Sequence, residues 1–406
     1  MIFYRVLISL FATATLLRAL RKGGLQALRA RLSPGEAPGG PHVWLHGASN
    51  GELASIKPLL EKLIPLRPRL RWLITANTPS GVRLAENWHL QGVTVRLAPV
   101  DLHLPTRRIM QEWQVCAHVA LEAEIWPNRF LTCPGPIILA GARMSAGTAG
   151  TWARFPRLAR RLLGRVRFAS AQDTASAERL LALGLSPAAT GPVMDLKAFY
   201  DAALPTADPD VDQTFQRDRT WLAASTHEGE EEVVLTAHAM LRRVDPGLRL
   251  IIAPRHPQRA DDIIEEIRRQ GLSYARRSSG AAPGNVDVYL ADTLGEMPRW
   301  YACSGRVFIG GTLRDRGGHT PYEPAAFGAA LIHGPDTRNF AAAFARLTQT
   351  DAASQIRDAN SLAEALRGLT TADAQIAAGV AAQAALRQEA DLQDLVTPIL
   401  RLLPEP

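Results

Sequence analysis

Glu52 stands where the apolar run of LHGASNGEL (45–53) gives way to a helix-like segment, with Ser49 three residues before it. Ser49 suits the cap of that helix and Glu52 its first turn. A carboxylate in that place is either a partner of the helix dipole or, in a cleft, a general base toward a hydroxyl. ALEAEIWPN (120–128) adds Glu122 and Glu124, spaced so that an extended strand would turn both to one face. The plainer role for each is to be the buried partner of an arginine.

The second half of the chain offers phosphate and sugar chemistry instead. Pro254 and Arg255 open a rigid PRHP turn (254–257) after the apolar LIIA, which is either a phosphate contact or an ordinary surface turn. DTLGEMPRWY (292–301) repeats the pattern of a strand end, a glycine and an acid, through Leu294, Gly295 and Glu296. GRVFIGGTLRDRGGHTPYEP (305–324) reads as strand, glycine loop and helix start, where Thr320, Pro321, Tyr322 and Glu323 fall. Exposed N–H groups at such a start receive phosphate, and Glu323 is placed to take ribose hydroxyls; an ordinary βα turn is the simpler alternative. In STHEGEEE (225–232), Ser225 or Thr226 is expected to cap a helix whose acids mostly face solvent. No Walker lysine motif, compact GxGxxG or HExxH is present, which counts against ATPase, dehydrogenase and zinc hydrolase readings.

These residues need strands to hold them. Apolar runs begin at 43, 71, 93, 115, 137 and 167, then again at 220, 248, 286, 306 and 329, each followed by a helix-like or loop segment. That alternation predicts two α/β halves with parallel sheets, whose ligands bind at strand C-termini. The expected divisions are an N-terminal anchor at 1–22, a first domain at 23–197, a linker at 198–217, a second domain at 218–385 and a C-terminal helix at 386–406. The first segment has a twelve-residue apolar run, Val6 to Leu17, flanked by Arg5, Arg18, Arg21 and Lys22. It is short of the roughly 20 residues that span hydrocarbon, so an uncleaved, shallow or slanted anchor on anionic lipid is expected, with a signal peptide or a buried N-terminal helix as the alternatives.

With 47% hydrophobic and 21% charged residues over 406 positions, the chain can bury large cores. Its net charge of +7 suits a polyanionic partner, nucleic acid or anionic lipid, and only four of its 46 basic residues are lysines. Three scattered cysteines, Cys116, Cys133 and Cys303, fit neither a disulfide framework nor a zinc site.

SNGE (49–52), TANTPSG (75–81), EAEIWPN (122–128), ARMS (142–145), ASTHEGEEE (224–232), PRHP, DTLGE, GGHTPYEPAAFG (317–328) and GPDTRNF (334–340) occur in that order. Together they resemble the 3-deoxy-D-manno-octulosonic acid (Kdo) transferases of lipopolysaccharide assembly. The resemblance implies a GT-B glycosyltransferase: two Rossmann-like domains facing a central cleft, the first for a lipid A precursor, the second for CMP-Kdo. It implies Glu52 as catalytic base and Glu122 as a stabiliser of the transition state. CMP would be held by Pro254, Arg255, Leu294, Gly295, Glu296, Thr320, Pro321, Tyr322 and Glu323. It implies no metal or other cofactor, no nucleic-acid partner, and a place on the cytoplasmic face of the inner membrane, against its anionic surface.

Three positions depart from the family pattern. Asn50 replaces a small or apolar residue, and Thr320 replaces an asparagine. Met194 stands where the family has a lysine that stabilises the transition state, with Lys197 three residues on. Lys197 restores that charge only if the loop is reshaped or the site is displaced by one helical turn. The alternative function is therefore a catalytically altered homologue that binds CMP or lipid, or a transferase for another lipid-linked acceptor or sugar.

Overall fold

A computed structural model describes residues 2–200, 202, 207–388 and 390–405, with backbone only for residues 2, 3, 5–7 and 22. Met1 of the expected anchor, residues 201 and 203–206 of the expected linker, and residues 389 and 406 of the expected last helix lie outside the described residues. The chain forms two compact units, Met1–Phe199 with Gln388–Pro406, and Tyr200–Arg387.

The first unit is built on six strands: β1 (His42–Gly47), β2 (Arg71–Ala76), β3 (Val93–Leu97), β4 (Val115–Leu121), β5 (Ile137–Ala142) and β6 (Val166–Ala171). They form one parallel sheet in the order β3-β2-β1-β4-β5-β6. Successive side chains leave a strand on opposite faces, so Val43 and Leu45 enter one core while Trp44 enters the other. Both faces are covered, which is why these strands read as nearly unbroken apolar runs. Helix Asn50–Leu66 covers the first face with Ile56, Leu59, Leu60 and Leu63. Helix Gln393–Leu402 joins the same core through Leu395, Val396 and Ile399.

The second unit has β7 (Thr220–Thr226), β8 (Arg249–Pro254), β9 (Tyr274–Arg276), β10 (Val288–Leu290), β11 (Arg306–Ile309), β12 (Ala330–His333) and β13 (Ala353–Gln355). Their parallel order is β13-β12-β11-β7-β8-β10-β9. The two edge strands, β9 and β13, have three residues each and no apolar run to announce them. Residues 198–217 are more than a connector: helix Pro209–Thr214 buries Val211, and Phe215 meets Tyr289 at 5.5 Å between ring centres.

In the second sheet β10 sits between β8 and β9, an inversion at the edge; each sheet also has a central place where the strand order reverses direction. In the first it lies between β1 and β4, in the second between β7 and β11. Parallel sheets bind ligands outside the C-terminal ends of strands at such a point, because the flanking connections leave on opposite faces and open a crevice.

The N-terminal helix, Ile2–Ala30, loses helical geometry at Gly23 and Gly24. Ile8 and Ala12 are buried, whereas Leu10, Phe11, Leu17, Leu20 and Leu25 are exposed. Among the described residues no helix is long and apolar enough to cross a membrane. Tyr4 ties this helix down by donating to Asp101 at 2.7 Å, and the same carboxylate accepts the N–H groups of Asn128 and Arg129 at 2.8 and 3.0 Å.

Candidate active site

Glu52 lies in the first turn after β1, on one side of the first reversal. Ser49 caps the helix by accepting the Glu52 N–H at 3.2 Å, and its hydroxyl donates back to Glu52 Oε1 at 3.0 Å. The Ala48 N–H donates to Oε2 at 2.8 Å. These bonds favour the charged carboxylate, yet burial, with Glu122 and Glu124 nearby, outweighs them and pushes Glu52 up to about 7. A carboxylate that binds a proton near neutrality is suited to general-base work.

Glu122 follows β4, on the other side of the same reversal. Its φ is +45°, a left-handed conformation costing on the order of 1 kcal/mol or more for a residue other than glycine. The strand therefore stops at Leu121, and Glu122 and Glu124 do not share a face as an extended strand would require. Among the described residues neither carboxylate pairs with an arginine. Glu122 takes the ammonium of Lys197 at 2.5 Å, both side chains being more than four-fifths buried. Glu124 accepts from His46 Nε2 at 2.9 Å and from Trp126 Nε1 at 2.7 Å. Burial alone would raise Glu124, but the His46 and Trp126 bonds hold it below the usual range. Burial, with Arg129 nearby, keeps His46 neutral, down to about 4. Its Nδ1 lies 3.0 Å from the Thr75 hydroxyl and 3.1 Å from the Thr75 carbonyl oxygen, so Thr75 holds the ring from the side opposite Glu124.

Met194 is fully buried in the core beside Phe168 and Leu196, and its backbone N–H donates to Ala171 O at 2.7 Å. The chain then turns through a short 3₁₀ segment, Leu196–Phe199, which brings Lys197 to Glu122. The positive charge missing at 194 is thus present three residues later.

In the second unit the loops after β11, β7, β8 and β10 lie side by side along one edge. They carry GGHTP, STH, PRH and DTLGE respectively, so the candidates of this half share one rim. Pro254 ends β8 and is buried; Arg255 is exposed, with its N–H donating to Thr226 O at 3.0 Å. Leu294 is exposed and Gly295 has φ +92°. Glu296 is already engaged: Arg277 grips it with Nε at 3.2 Å and Nη2 at 2.7 Å, and the Thr293 hydroxyl also donates to it. Burial opposes these contacts, but they hold Glu296 below the usual carboxylate range. Pro321 caps a one-turn helix, Tyr322–Ala326, too short for a substantial dipole. Thr320 Oγ1 accepts the Tyr322 N–H at 3.3 Å, Arg346 donates to the Tyr322 hydroxyl at 2.8 Å, and Glu323 is half-buried near Tyr301.

Neither Ser225 nor Thr226 caps the next helix. Gly229 does, at φ +84°, while Ser225 adopts φ +56° where β7 breaks register with β8. Two of the acids expected in solvent are buried. Glu230 accepts N–H groups from His227 (2.9 Å), Gly311 (2.7 Å) and Leu313 (2.9 Å), and Glu231 takes both arms of Arg259. Asp336 and Asn339 brace the glycine loop from GPDTRNF, accepting the Gly317 N–H at 2.7 Å and donating to Gly318 O at 3.2 Å. Gly317 and Gly318 have φ of +81° and +76°, and a Cβ on Gly318 would come within 2.8 Å of Asp336 O.

Sequence reasoning missed the histidines of this rim. His227 and His319 stack at 5.2 Å with their Nε2 atoms 2.9 Å apart, and His256 meets His227 edge-on. One ring must donate and the other accept, so at least one is neutral. Burial, then the neighbouring histidines and arginines, holds His227 down to about 4 and His319 to about 3. The signal available was a histidine in each of three strand-end motifs, STHE, PRHP and GGHTP. Among the described residues no group of three or more His, Cys, Asp or Glu side chains is placed to hold a metal ion.

Known proteins share both the fold and the sequence. UDP-GlcNAc 2-epimerase from Neisseria meningitidis matches with a TM-score of 0.62 at 12% identity, covering 89% of this chain and 100% of its own. Anabaena HepE, in complex with UDP and glucose, matches at 0.57 and 14%, covering 89% and 98%. Such distant likeness establishes the two-domain GT-B fold alone. A sequence model described as 3-deoxy-D-manno-octulosonic-acid transferase matches residues 25–200. The 3-deoxy-D-manno-octulosonic acid transferase of Haemophilus influenzae is 31% identical over 80% of this chain and 77% of its own. That of Bordetella pertussis is 33% identical over 80% and 79%. The chain belongs to the 3-deoxy-D-manno-octulosonic acid transferases and is a glycosyltransferase.

Proposed function

We propose that this transferase moves Kdo from CMP-Kdo to a lipid A precursor in lipopolysaccharide biosynthesis, with inversion, at the cytoplasmic face of the inner membrane. Glu52 takes the proton of an acceptor hydroxyl as its oxygen bonds to the anomeric carbon. The bond from that carbon to the CMP phosphate breaks, and its electron pair leaves with the phosphate. The observation that carries this reading is the half-buried Glu52 carboxylate, raised to about 7 at the reversal of the first sheet.

Glu122 lends negative charge where the anomeric carbon becomes positive, and Lys197 fixes its position. Arg255 receives the leaving phosphate beside the Thr320–Glu323 turn, while Pro254, Leu294 to Glu296 and Glu323 hold the cytidine. The neutral pair His227 and His319 walls the same rim beside Arg255. Met194 was the sequence feature favouring a homologue without catalysis; Lys197 on Glu122 supports the active reading instead.

The test is Glu52→Gln with CMP-Kdo and a lipid A precursor. Transfer is expected to fall by ~10²- to 10⁴-fold, the usual loss for a general base. Unimpaired transfer by this variant would mean that another group is the base.

A further inference from the structure

The +7 charge of the chain is matched by one short segment. Residues 143–167 hold seven arginines and neither aspartate nor glutamate. They form a helical hairpin. Helix Ala146–Ala153 buries none of its residues, and helix Pro156–Leu163 buries Ala159, Leu162 and Leu163. Arg154, Arg157, Arg160, Arg161 and Arg167 are exposed, and none is in an ion pair with a described residue. Phe155, at the turn between the helices, is 40% exposed.

A face kept for water mixes charges of both signs; this one carries a single sign around an aromatic ring. Apart from Trp152, which packs against the core, the side chains of Ala146–Ala153 are small; they offer little relief for a shape-matched protein partner, but let a helix lie flat on a soft surface. Phe155 and the arginine stems suit the boundary between headgroups and acyl chains, with guanidinium groups on lipid phosphates.

The hairpin also starts at the candidate active site. The Arg143 N–H donates to Glu122 O at 3.2 Å, so the hairpin leaves from beside the Glu122–Lys197 pair. On the loop's other flank, Phe11 of the N-terminal helix faces Trp126 at 6.4 Å. The Glu122–Trp126 loop thus lies between two elements with exposed aromatic or aliphatic side chains.

We propose that the hairpin 146–163 is a second docking surface for an anionic lipid bilayer, separate from the N-terminal helix. The proposal deepens the lipid-acceptor reading and rests on it for the choice of a bilayer as partner. Each basic residue near an anionic bilayer strengthens binding by about fivefold.

The test measures sedimentation of the full chain with phosphatidylglycerol-containing vesicles and with pure phosphatidylcholine vesicles, without donor or acceptor. The variant R154S/R157S/R161S is expected to bind the anionic vesicles about a hundredfold more weakly, and R154K/R157K/R161K nearly as well as the parent. Undiminished binding by the serine variant overturns the proposal. So does an equal loss in the lysine variant, which would mark a site for one specific partner. Thermal melting checks that the variants fold. If the serine variant does not, R157S/R161S decides: anionic-vesicle binding about 25-fold weaker supports the proposal, and undiminished binding overturns it. Transfer to detergent-dispersed acceptor is measured separately, so failure of the catalytic reading leaves the vesicle result standing.

Discussion

The C-terminal rims of the two sheets treat their carboxylates in opposite ways. On the first, Glu52 is left with a backbone N–H and a hydroxyl as partners, and two further acids raise its proton affinity. On the second, Arg259 pairs with Glu231, Arg276 with Asp292 and Arg277 with Glu296, while Glu230 accepts three backbone N–H groups although burial still raises its proton affinity. The first rim thus keeps an acid short of positive charge, as the proposed general base requires. The second uses its acids to shape loops and leaves Arg255 exposed, as the proposed phosphate contact requires.

The largest effect on the first rim couples stability to pH. The folded state raises Glu52 from 4.5 to about 7, so ionising it costs stability. Below pH 4.5 both states are protonated and the cost vanishes; it grows as pH rises and is complete above about 7. Glu52→Gln removes the ionisation and should stabilise the fold by about 2–3 kcal/mol at pH 8. Denaturant melts at pH 4 and pH 8 check this; equal gains at both pH values would refute the sign.

On the second rim the matching change should destabilise. Glu230→Gln keeps one acceptor oxygen but turns an NH₂ toward backbone N–H groups of the β7 and β11 loops. A loss of about 2 kcal/mol in a denaturant melt is expected. Arg255→Ala should leave the fold intact and raise the KM for the sugar nucleotide about tenfold, with a smaller change in kcat. A fall in kcat alone would place Arg255 outside donor binding.

What the sequence disclosed follows the same division. Strands buried on both faces wrote themselves as apolar runs, and the Ser49–Glu52 cap was readable because both partners lie in one turn. Strands β9 and β13 were not, since three residues at an edge need no apolar pattern. The pairing of Glu122 with Lys197 spans 75 positions and depends on φ +45° at Glu122 and the 3₁₀ turn after Met194. Spacing alone predicted the wrong face. The acids of STHEGEEE looked solvated because their partners, Arg259 and the N–H groups of Gly311 and Leu313, come from other strands' loops.

The smallest effect tests how the first rim sets its proton affinity. Glu122 raises Glu52 by repulsion, and Lys197 neutralises Glu122 at 2.5 Å. Removing the lysine exposes Glu52 to the full Glu122 charge, so Lys197→Met should move the acid limb of kcat/KM upward by about half a unit to one unit. Removing the repelling carboxylate acts the other way, and Glu122→Gln should move the same limb downward by a similar amount. Both variants should also lose rate, because each removes charge that the proposed mechanism sets beside the reacting carbon, so the limb's position is the readout that separates the two effects. Limbs that shift in the same direction would mean that Glu122 and Lys197 do not act on Glu52 as a charge and its neutraliser. A limb fixed near 7 in both would assign the raised affinity to burial alone.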